Sequence, residues 1–139
     1  MKVLKLVLFL MVMSFFFAYF SFAEESQNAV DSTRKDITVT QLKEQIKNDS
    51  NLVILDVRTK EELTGKLPKI ESAINIPLQQ LEKRIYELEP YRDRKIAVIC
   101  RSGQRSSSAY IILKKYGYNV ENVLGGMKAY LGKQDSLIK

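Results

Sequence analysis

The chain has 139 residues and a formal net charge of +6, with 22 basic and 16 acidic side chains, so one domain is expected. It contains one cysteine and no histidine. That composition excludes Cys–His and Ser–His catalysis, histidine-ligated metal sites and a structural zinc site. The basic residues form no arginine-rich run with interleaved aromatic residues, so we expect no nucleic-acid partner.

The first 23 residues have the pattern of a secretory signal peptide. Two lysines precede an apolar run over residues 7–20, and the small residues Ser21 and Ala23 stand where a signal peptidase reads. The run is short for a membrane-spanning helix, which needs about 20 residues, although an uncleaved anchor is the alternative. We predict cleavage after Ala23, export to the periplasm or the extracellular space, and no stable membrane association afterwards. Residues 24–35 are polar and are predicted to form a flexible leader.

Beyond the leader, strand and helix patterns begin to alternate. Residues 37–39 alternate as in a short strand, and Thr40 can cap a helix in which Leu42 and Ile46 share one face. Residues 52–55 form a continuous apolar run, which is typical of a strand buried on both faces.

The next segment contains shorter elements. Thr59 and Glu62 have the spacing of a capping box and predict a short helix. Residues 65–72 form an irregular connection, and residues 73–76 form a short strand closed by Pro77. Four apolar residues then follow at spacings of three, four and three, which predicts one helix that ends near Pro90. These residues are Leu78, Leu81, Ile85 and Leu88.

The last third of the chain repeats the alternation. Residues 95–100 predict a buried strand, and residues 105–116 predict a helix that Gly117 stops. A strand over residues 120–124, a Gly-Gly turn, a closing helix over residues 127–131 and a polar tail over residues 132–139 complete the chain. The whole pattern predicts a single α/β domain over residues 36–131, with a mostly parallel central sheet flanked by helices.

Cys100 is the strongest candidate for a functional residue. It ends the apolar strand and is followed by Arg-Ser-Gly-Gln-Arg-Ser, which is too polar to continue the strand. The loop amides, the start of the next helix and the two arginines all favour a thiolate. A lone cysteine is otherwise often a small buried apolar residue, but these flanks favour a reactive thiol.

The chain resembles the rhodanese family of sulfurtransferases in four motifs that occur in the family's order. The motifs are Leu-Asp-Val-Arg ending at Arg58, Ala-Ile-Asn-Ile-Pro ending at Pro77, the cysteine loop, and Leu-Gly-Gly-Met-Lys-Ala-Tyr ending at Tyr130. The chain departs from the family pattern at residues 68–73, which lack the usual histidine, and at Tyr130, where tryptophan is common.

The resemblance implies a two-step transfer in which Cys100 takes the outer sulfur of thiosulfate and passes it to cyanide or a thiol. The cysteine loop would cradle the anionic sulfur, with Arg101 or Arg105 holding the sulfonate end of the donor. The predicted loop residues are Arg101, Ser102, Gly103, Gln104, Arg105 and Ser106. No metal and no cofactor are expected.

Asp56 and Arg58 are second-tier candidates beside this loop. Asp56 has an alternative role in ending its strand, and Arg58 has an alternative partner in Glu62. Two other functions stay open. One is a persulfide carrier that docks a protein sulfur donor or acceptor. The other is a phosphatase or arsenate reductase on the same fold, which the four-residue gap between Cys100 and Arg105 disfavours because dual-specificity phosphatases have one residue more.

Overall fold

The computed structural model describes residues 34–132. The predicted signal peptide, the first ten residues of the predicted leader and residues 133–139 lie outside the described residues. The described strands are β1 (Asp36–Ile37), β2 (Val53–Asp56), β3 (Ile74–Asn75), β4 (Lys95–Ile99) and β5 (Asn119–Val123). The α-helices are α1 (Val39–Asn48), α2 (Lys60–Leu63), α3 (Gln104–Lys115) and α4 (Gly126–Leu131), and two 3₁₀ helices span Leu78–Gln80 and Ile85–Tyr91.

The five strands form one sheet in the order β1-β5-β4-β2-β3, and every pairing is parallel. This confirms the predicted α/β class. Alternate side chains of the central strands enter two separate cores, because successive strand residues point to opposite faces. On one face Val98 and Leu55 pack with Leu113 of α3, and on the other Ala97 and Ile54 pack with the core that contains Leu42 of α1.

The strand order places a site at one edge of the sheet. From β2 the chain continues outward to β3, whereas from β4 it continues in the opposite direction to β5. The order therefore reverses between β2 and β4, and parallel sheets bind ligands at the carboxyl ends of strands at such a point. Asp56 ends β2 and Cys100 directly follows β4, so the sequence candidates lie on both sides of this crevice.

The prediction of a strand over residues 37–39 with Thr40 as a helix cap is wrong in detail. Helix α1 already begins at Val39, and Thr38 is its N-cap. The Thr38 hydroxyl accepts a hydrogen bond from the Gln41 amide at 3.2 Å, and the Gln41 side chain accepts one from the Thr38 amide at 2.8 Å. This capping box satisfies free amides at the helix start. It therefore sets the start of α1 at Val39, although the alternating pattern of residues 37–39 predicts a strand there.

The single helix predicted to end near Pro90 is also wrong, because the segment forms two separate 3₁₀ helices. Most of its hydrogen bonds link residues three apart, as from the Leu81 amide to the Leu78 carbonyl at 3.2 Å. Residues three apart share a face in a 3₁₀ helix as well as in an α-helix. Leu81 and Leu88 are therefore fully buried, as the predicted apolar face requires, although the backbone differs.

Lys35, the last residue of the predicted leader, is held against the sheet. Its carbonyl accepts from the Asn122 amide at 2.9 Å, and its amide donates to the Tyr110 hydroxyl at 3.1 Å. Its ammonium group lies 2.5 Å from the buried carboxylate of Glu121. The ordered domain thus includes Lys35. Across residues 34–132, no helix has the length and apolar character needed to cross a membrane.

Candidate active site

Cys100 lies at the carboxyl end of β4 with its side chain on the α3 face of the sheet. Ile96 and Val98 precede it on the same face, so the strand alternation alone directs the thiol toward the start of α3. Cys100 is only 1% exposed and is a free cysteine. Its position after the strand and before the helix leaves the sulfur facing the loop that joins them.

The loop surrounds the Cys100 sulfur with hydrogen-bond donors. The Gly103 amide donates to Sγ at 3.1 Å. Burial raises the pKa of the thiol, but hydrogen bonds from the Ser106 side chain and from the amides of Ser106, Ser102 and Gly103 outweigh it, so the net pKa is lowered. Donors of this kind stabilise the thiolate over the thiol, and a thiolate is the nucleophilic form of cysteine.

Ser106 and Gly103 connect the loop to the first turn of α3. Gly103 is the N-cap of this helix and has φ +100°, which favours glycine. The fully buried Ser106 hydroxyl donates to the Gly103 carbonyl at 3.0 Å. The same side chain also lowers the Cys100 pKa, because its single proton can turn from the Gly103 carbonyl to the charged sulfur.

The turn before α4 holds the opposite side of the loop. The Met127 amide donates to the Cys100 carbonyl at 2.8 Å, and the Lys128 amide donates to the Arg101 carbonyl at 3.0 Å. Gly126 has φ +56°, and a Cβ there would lie 2.4 Å from the Cys100 carbonyl oxygen. With its carbonyls bound to the start of α4, the loop presents its amides to the sulfur.

Asp56 and Arg58 form a buried ion pair at the end of β2. The Arg58 side chain donates to both Asp56 carboxylate oxygens, at 2.6 Å from Nη2 and 3.0 Å from Nε. Its Nη1 donates to the Leu67 carbonyl at 2.6 Å, and the Asn75 side chain donates to the Asp56 and Arg58 carbonyls. The pair therefore joins β2, β3 and the connection between them.

Glu62 does not pair with Arg58, contrary to the alternative considered from the sequence, because Asp56 binds that guanidinium. Glu62 instead makes a two-pronged contact with Arg105, at 2.6 and 2.7 Å. The hydrogen bonds from Arg105 are the main reason that the pKa of Glu62 falls to about 2. The pair fixes the first turn of α3 against α2, with Arg105 oriented toward Glu62.

The remaining predicted loop residues lie at the surface. Arg101, Ser102 and Gln104 are exposed, and Arg101 borders a cavity of about 230 Å³ beside the loop. The other residues that line this cavity are Arg58, Glu62, Gly65, Lys66 and Leu67. The structure thus brings together the two groups of candidates from the ends of β2 and β4.

Sequence reasoning missed three contributors to the site. Lys66 lies in a connection treated as irregular, Gly126 was assigned only to a turn, and Asn75 only to a short strand. Gly126 and Asn75 lie in the Gly-Gly and Asn-Ile-Pro motifs, so the sequence could have indicated their roles. No motif contains Lys66. Within residues 34–132, no cluster of three or more cysteine, aspartate or glutamate side chains offers a metal site.

Residues 38–133 match the family described as Rhodanese-like domain. The Escherichia coli protein named Thiosulfate sulfurtransferase PspE is 37% identical over 75 residues, which cover 53% of this chain and 69% of that protein. A Bacillus subtilis protein named "Putative sulfur carrier protein YrkF" is 38% identical over 111 residues, covering 79% of this chain. The chain spans 57% of the length of that second relative.

A solved structure supports the same assignment. The rhodanese-related protein from Thermoplasma volcanium superposes with a TM-score of 0.61 and 38% identity, covering 70% of this chain and 90% of that one. Its similarity agrees with the five-stranded parallel sheet described above. On the family match, the relatives and the fold, the chain belongs to the rhodanese-like family of sulfur-transfer proteins.

Proposed function

We propose that the protein is a sulfurtransferase that moves a sulfane sulfur from thiosulfate, or a related anionic donor, to a thiophilic acceptor through a persulfide on Cys100. The observation that carries the proposal is the environment of the Cys100 sulfur. It lies in a loop whose amides and Ser106 hydroxyl lower the thiol pKa. A buried cysteine with a purely structural role needs no such arrangement.

The proposed reaction has two halves, and the first charges the enzyme with sulfur. The Cys100 thiolate attacks the outer sulfur of thiosulfate, the sulfur–sulfur bond of the donor breaks, and sulfite leaves with the bonding electron pair. The product is a persulfide whose terminal sulfur is anionic. The amides that favour the thiolate also favour this anion, because a ring of N–H groups binds negative charge.

The second half-reaction returns the enzyme to its starting state. Cyanide or a thiolate attacks the terminal sulfur of the persulfide, and Cys100 leaves as a thiolate. Cyanide becomes thiocyanate, whereas a thiol becomes a new persulfide. The lowered pKa of Cys100 assists this step as well, because a stable thiolate is a better leaving group.

A persulfide carrier is the second candidate, and the relative named as a sulfur carrier favours it. The same loop would accept sulfur from one protein and deliver it to another. Such a protein would form the persulfide but turn over slowly with small donors. Arg101, Ser102 and Gln104 are exposed beside the buried sulfur and would be the first residues that a docked protein meets.

Phosphatase or arsenate reductase activity on this loop is disfavoured by its size. Four residues separate Cys100 from Arg105, and Arg105 is bound by Glu62 through both terminal nitrogens. Measurable hydrolysis of an aryl phosphate that disappears in Cys100→Ser would revive this function.

The test combines intact-mass measurement with an assay for thiocyanate. The protein is measured before and after thiosulfate or another sulfane-sulfur donor, then after cyanide, with Cys100→Ser as the matched control. We expect a gain of one sulfur atom that cyanide removes, with thiocyanate released over many turnovers. A stable persulfide without turnover would favour the carrier, and no sulfur gain from any donor would refute sulfur transfer at Cys100.

We also propose that the protein acts after export, in the periplasm or outside the cell. The basic, apolar and small-residue pattern of residues 1–23 supports this location. The N-terminal sequence of the protein recovered from its native host is the test. A chain that begins at Glu24 would support export, and a chain that retains residues 1–23 would contradict cleavage.

A further inference from the structure

We propose that Lys66, together with Arg101, forms the subsite for the anionic group that a sulfur donor carries beside its sulfane sulfur. This inference rests on the proposed sulfur transfer at Cys100 and specifies the donor class. It assigns the anion contact to a lysine in the connection between α2 and β3, and it excludes Arg105 from that contact.

The cavity of about 230 Å³ brings Lys66 and Arg101 into one lining. Arg101, which directly follows Cys100, borders the cavity from the loop after β4. Lys66 also borders it, from the connection after α2. An anion bound between them would lie next to the loop that holds the sulfur.

Among the described residues, two of the cations that line this cavity have no acidic partner, and the other charges in the lining are paired. Arg58 lines the cavity, but the buried carboxylate of Asp56 neutralises it. Glu62 also lines the cavity, but its two oxygens bind the Arg105 guanidinium, and one of them also accepts from the Thr59 amide.

Lys66 and Arg101 differ from these pairs. Neither forms an ion pair with any acidic side chain in the part of the chain that the structure describes. The lining therefore carries two positive charges available to a ligand. Two such charges suit an oxyanion with more than one oxygen, such as a sulfonate or a carboxylate.

The buried ion pair of β2 holds Lys66 near this position. The Nη1 atom of Arg58 donates to the carbonyl of Leu67, the residue after Lys66, at 2.6 Å. At the other side of Lys66, the Gly65 amide donates to the Glu62 carbonyl at 3.4 Å. Both backbone neighbours of Lys66 are thus fixed, while its own side chain is exposed and free to bind.

Two donor types present the required chemistry. Thiosulfate carries a sulfonate on its sulfane sulfur, and glutathione persulfide carries carboxylates on an alkyl chain. In either case the Cys100 thiolate takes the outer sulfur, and the remainder leaves with the bonding electrons as sulfite or as an alkyl thiolate. An alkyl persulfide whose alkyl group is uncharged, here called the uncharged donor, undergoes the same step without a second anionic group for the subsite.

The test measures steady-state kinetics of Lys66→Gln with each of these three donors. For the donor that occupies the subsite, we expect KM to rise about five- to tenfold with kcat retained, because one charged contact is lost at an exposed position. The uncharged donor should show no change. Lys66→Arg should restore KM, and higher ionic strength should raise KM less in Lys66→Gln than in the native protein.

Lys69→Gln is the matched control. It removes the same charge from an exposed position three residues further along the connection, outside the cavity lining. Unfolding curves of both variants should match that of the native protein.

The outcomes separate the two proposals. Native protein that transfers sulfur from none of the three donors would refute sulfur transfer itself. If the native protein is active and Lys66→Gln behaves like Lys69→Gln with every donor, the subsite is refuted. An equal loss with charged and uncharged donors would also overturn it, because Lys66 would then act through the loop and not through its charge. Selective loss with thiosulfate or with glutathione persulfide identifies which anion occupies the subsite.

Discussion

Replacing Gly126 with alanine should distort the cysteine loop from a position outside it. The added Cβ would lie 2.4 Å from the Cys100 carbonyl oxygen, 2.7 Å from the Arg101 carbonyl carbon and 2.8 Å from the Ser102 nitrogen. All three contacts are with backbone atoms, so no side chain can rotate away. The cost combines about 1–2 kcal/mol for the left-handed backbone with about 1–3 kcal/mol for overpacking.

We therefore expect Gly126→Ala to lower the free energy of unfolding by about 2–5 kcal/mol in chemical denaturation. The loop must move, and the amides that face the sulfur then move with it. Ultraviolet titration of the thiolate should show a raised Cys100 pKa. Thiocyanate production should fall roughly 100-fold, because a displacement of about 1 Å is enough to misplace reacting groups.

Gly117→Ala is the matched control for this experiment. Gly117 has φ +81°, but a Cβ there would meet only Arg92 Nη1, at 3.8 Å. The Gly117→Ala variant should therefore lose only about 1–2 kcal/mol of unfolding free energy, the cost of the left-handed backbone for alanine. It should keep its activity. If Gly126→Ala matches Gly117→Ala in stability, thiol pKa and rate, then the turn before α4 does not hold the cysteine loop as described.

Three further predictions concern the neighbouring side chains. Ser106→Ala should raise the Cys100 pKa and move the rising limb of the pH–rate profile to higher pH, because the rate follows the fraction of thiolate. Ser108→Ala, at an exposed position of the same helix, is the control, and an equal shift in that variant would contradict the role of Ser106. Glu62→Gln should lower the free energy of unfolding by about 1–2 kcal/mol near neutral pH. The Glu62 pKa is lowered from 4.5 to about 2, so its contribution is full above 4.5 and disappears as the pH falls to about 2. Denaturation curves should therefore converge with those of the native protein in acid, and a difference independent of pH would exclude the ion pair as its source. Asp56→Asn should lower the free energy of unfolding by about 3–5 kcal/mol in the same assay, because it leaves the buried Arg58 guanidinium without its counter-charge. A loss below about 1 kcal/mol would mean that water reaches the ion pair.

Local pattern was sufficient to predict much of the fold and the identity of the candidate nucleophile. The apolar runs that form β2 and β4 were predictable, as was the helix that Gly117 ends, because burial and turn chemistry act over a few residues. The same argument placed Cys100 at the end of a strand, with a polar loop and a helix start behind it. The segment over residues 78–91 was ambiguous for a physical reason, since a three-residue spacing satisfies two kinds of helix.

Only the tertiary structure decided how the charged side chains pair and what holds the loop. Glu62 and Arg105 are 43 residues apart in sequence, so the spacing of the capping box gave no indication that this carboxylate binds α3. The contact between Gly126 and the Cys100 carbonyl joins two turns at the ends of different strands, and the cavity joins Lys66 to Arg101. These relations depend on the strand order β1-β5-β4-β2-β3, which sets distant loops side by side at the carboxyl edge of the sheet. Sequence periodicity reports which face of an element is buried, but it contains no information on which element lies next to it.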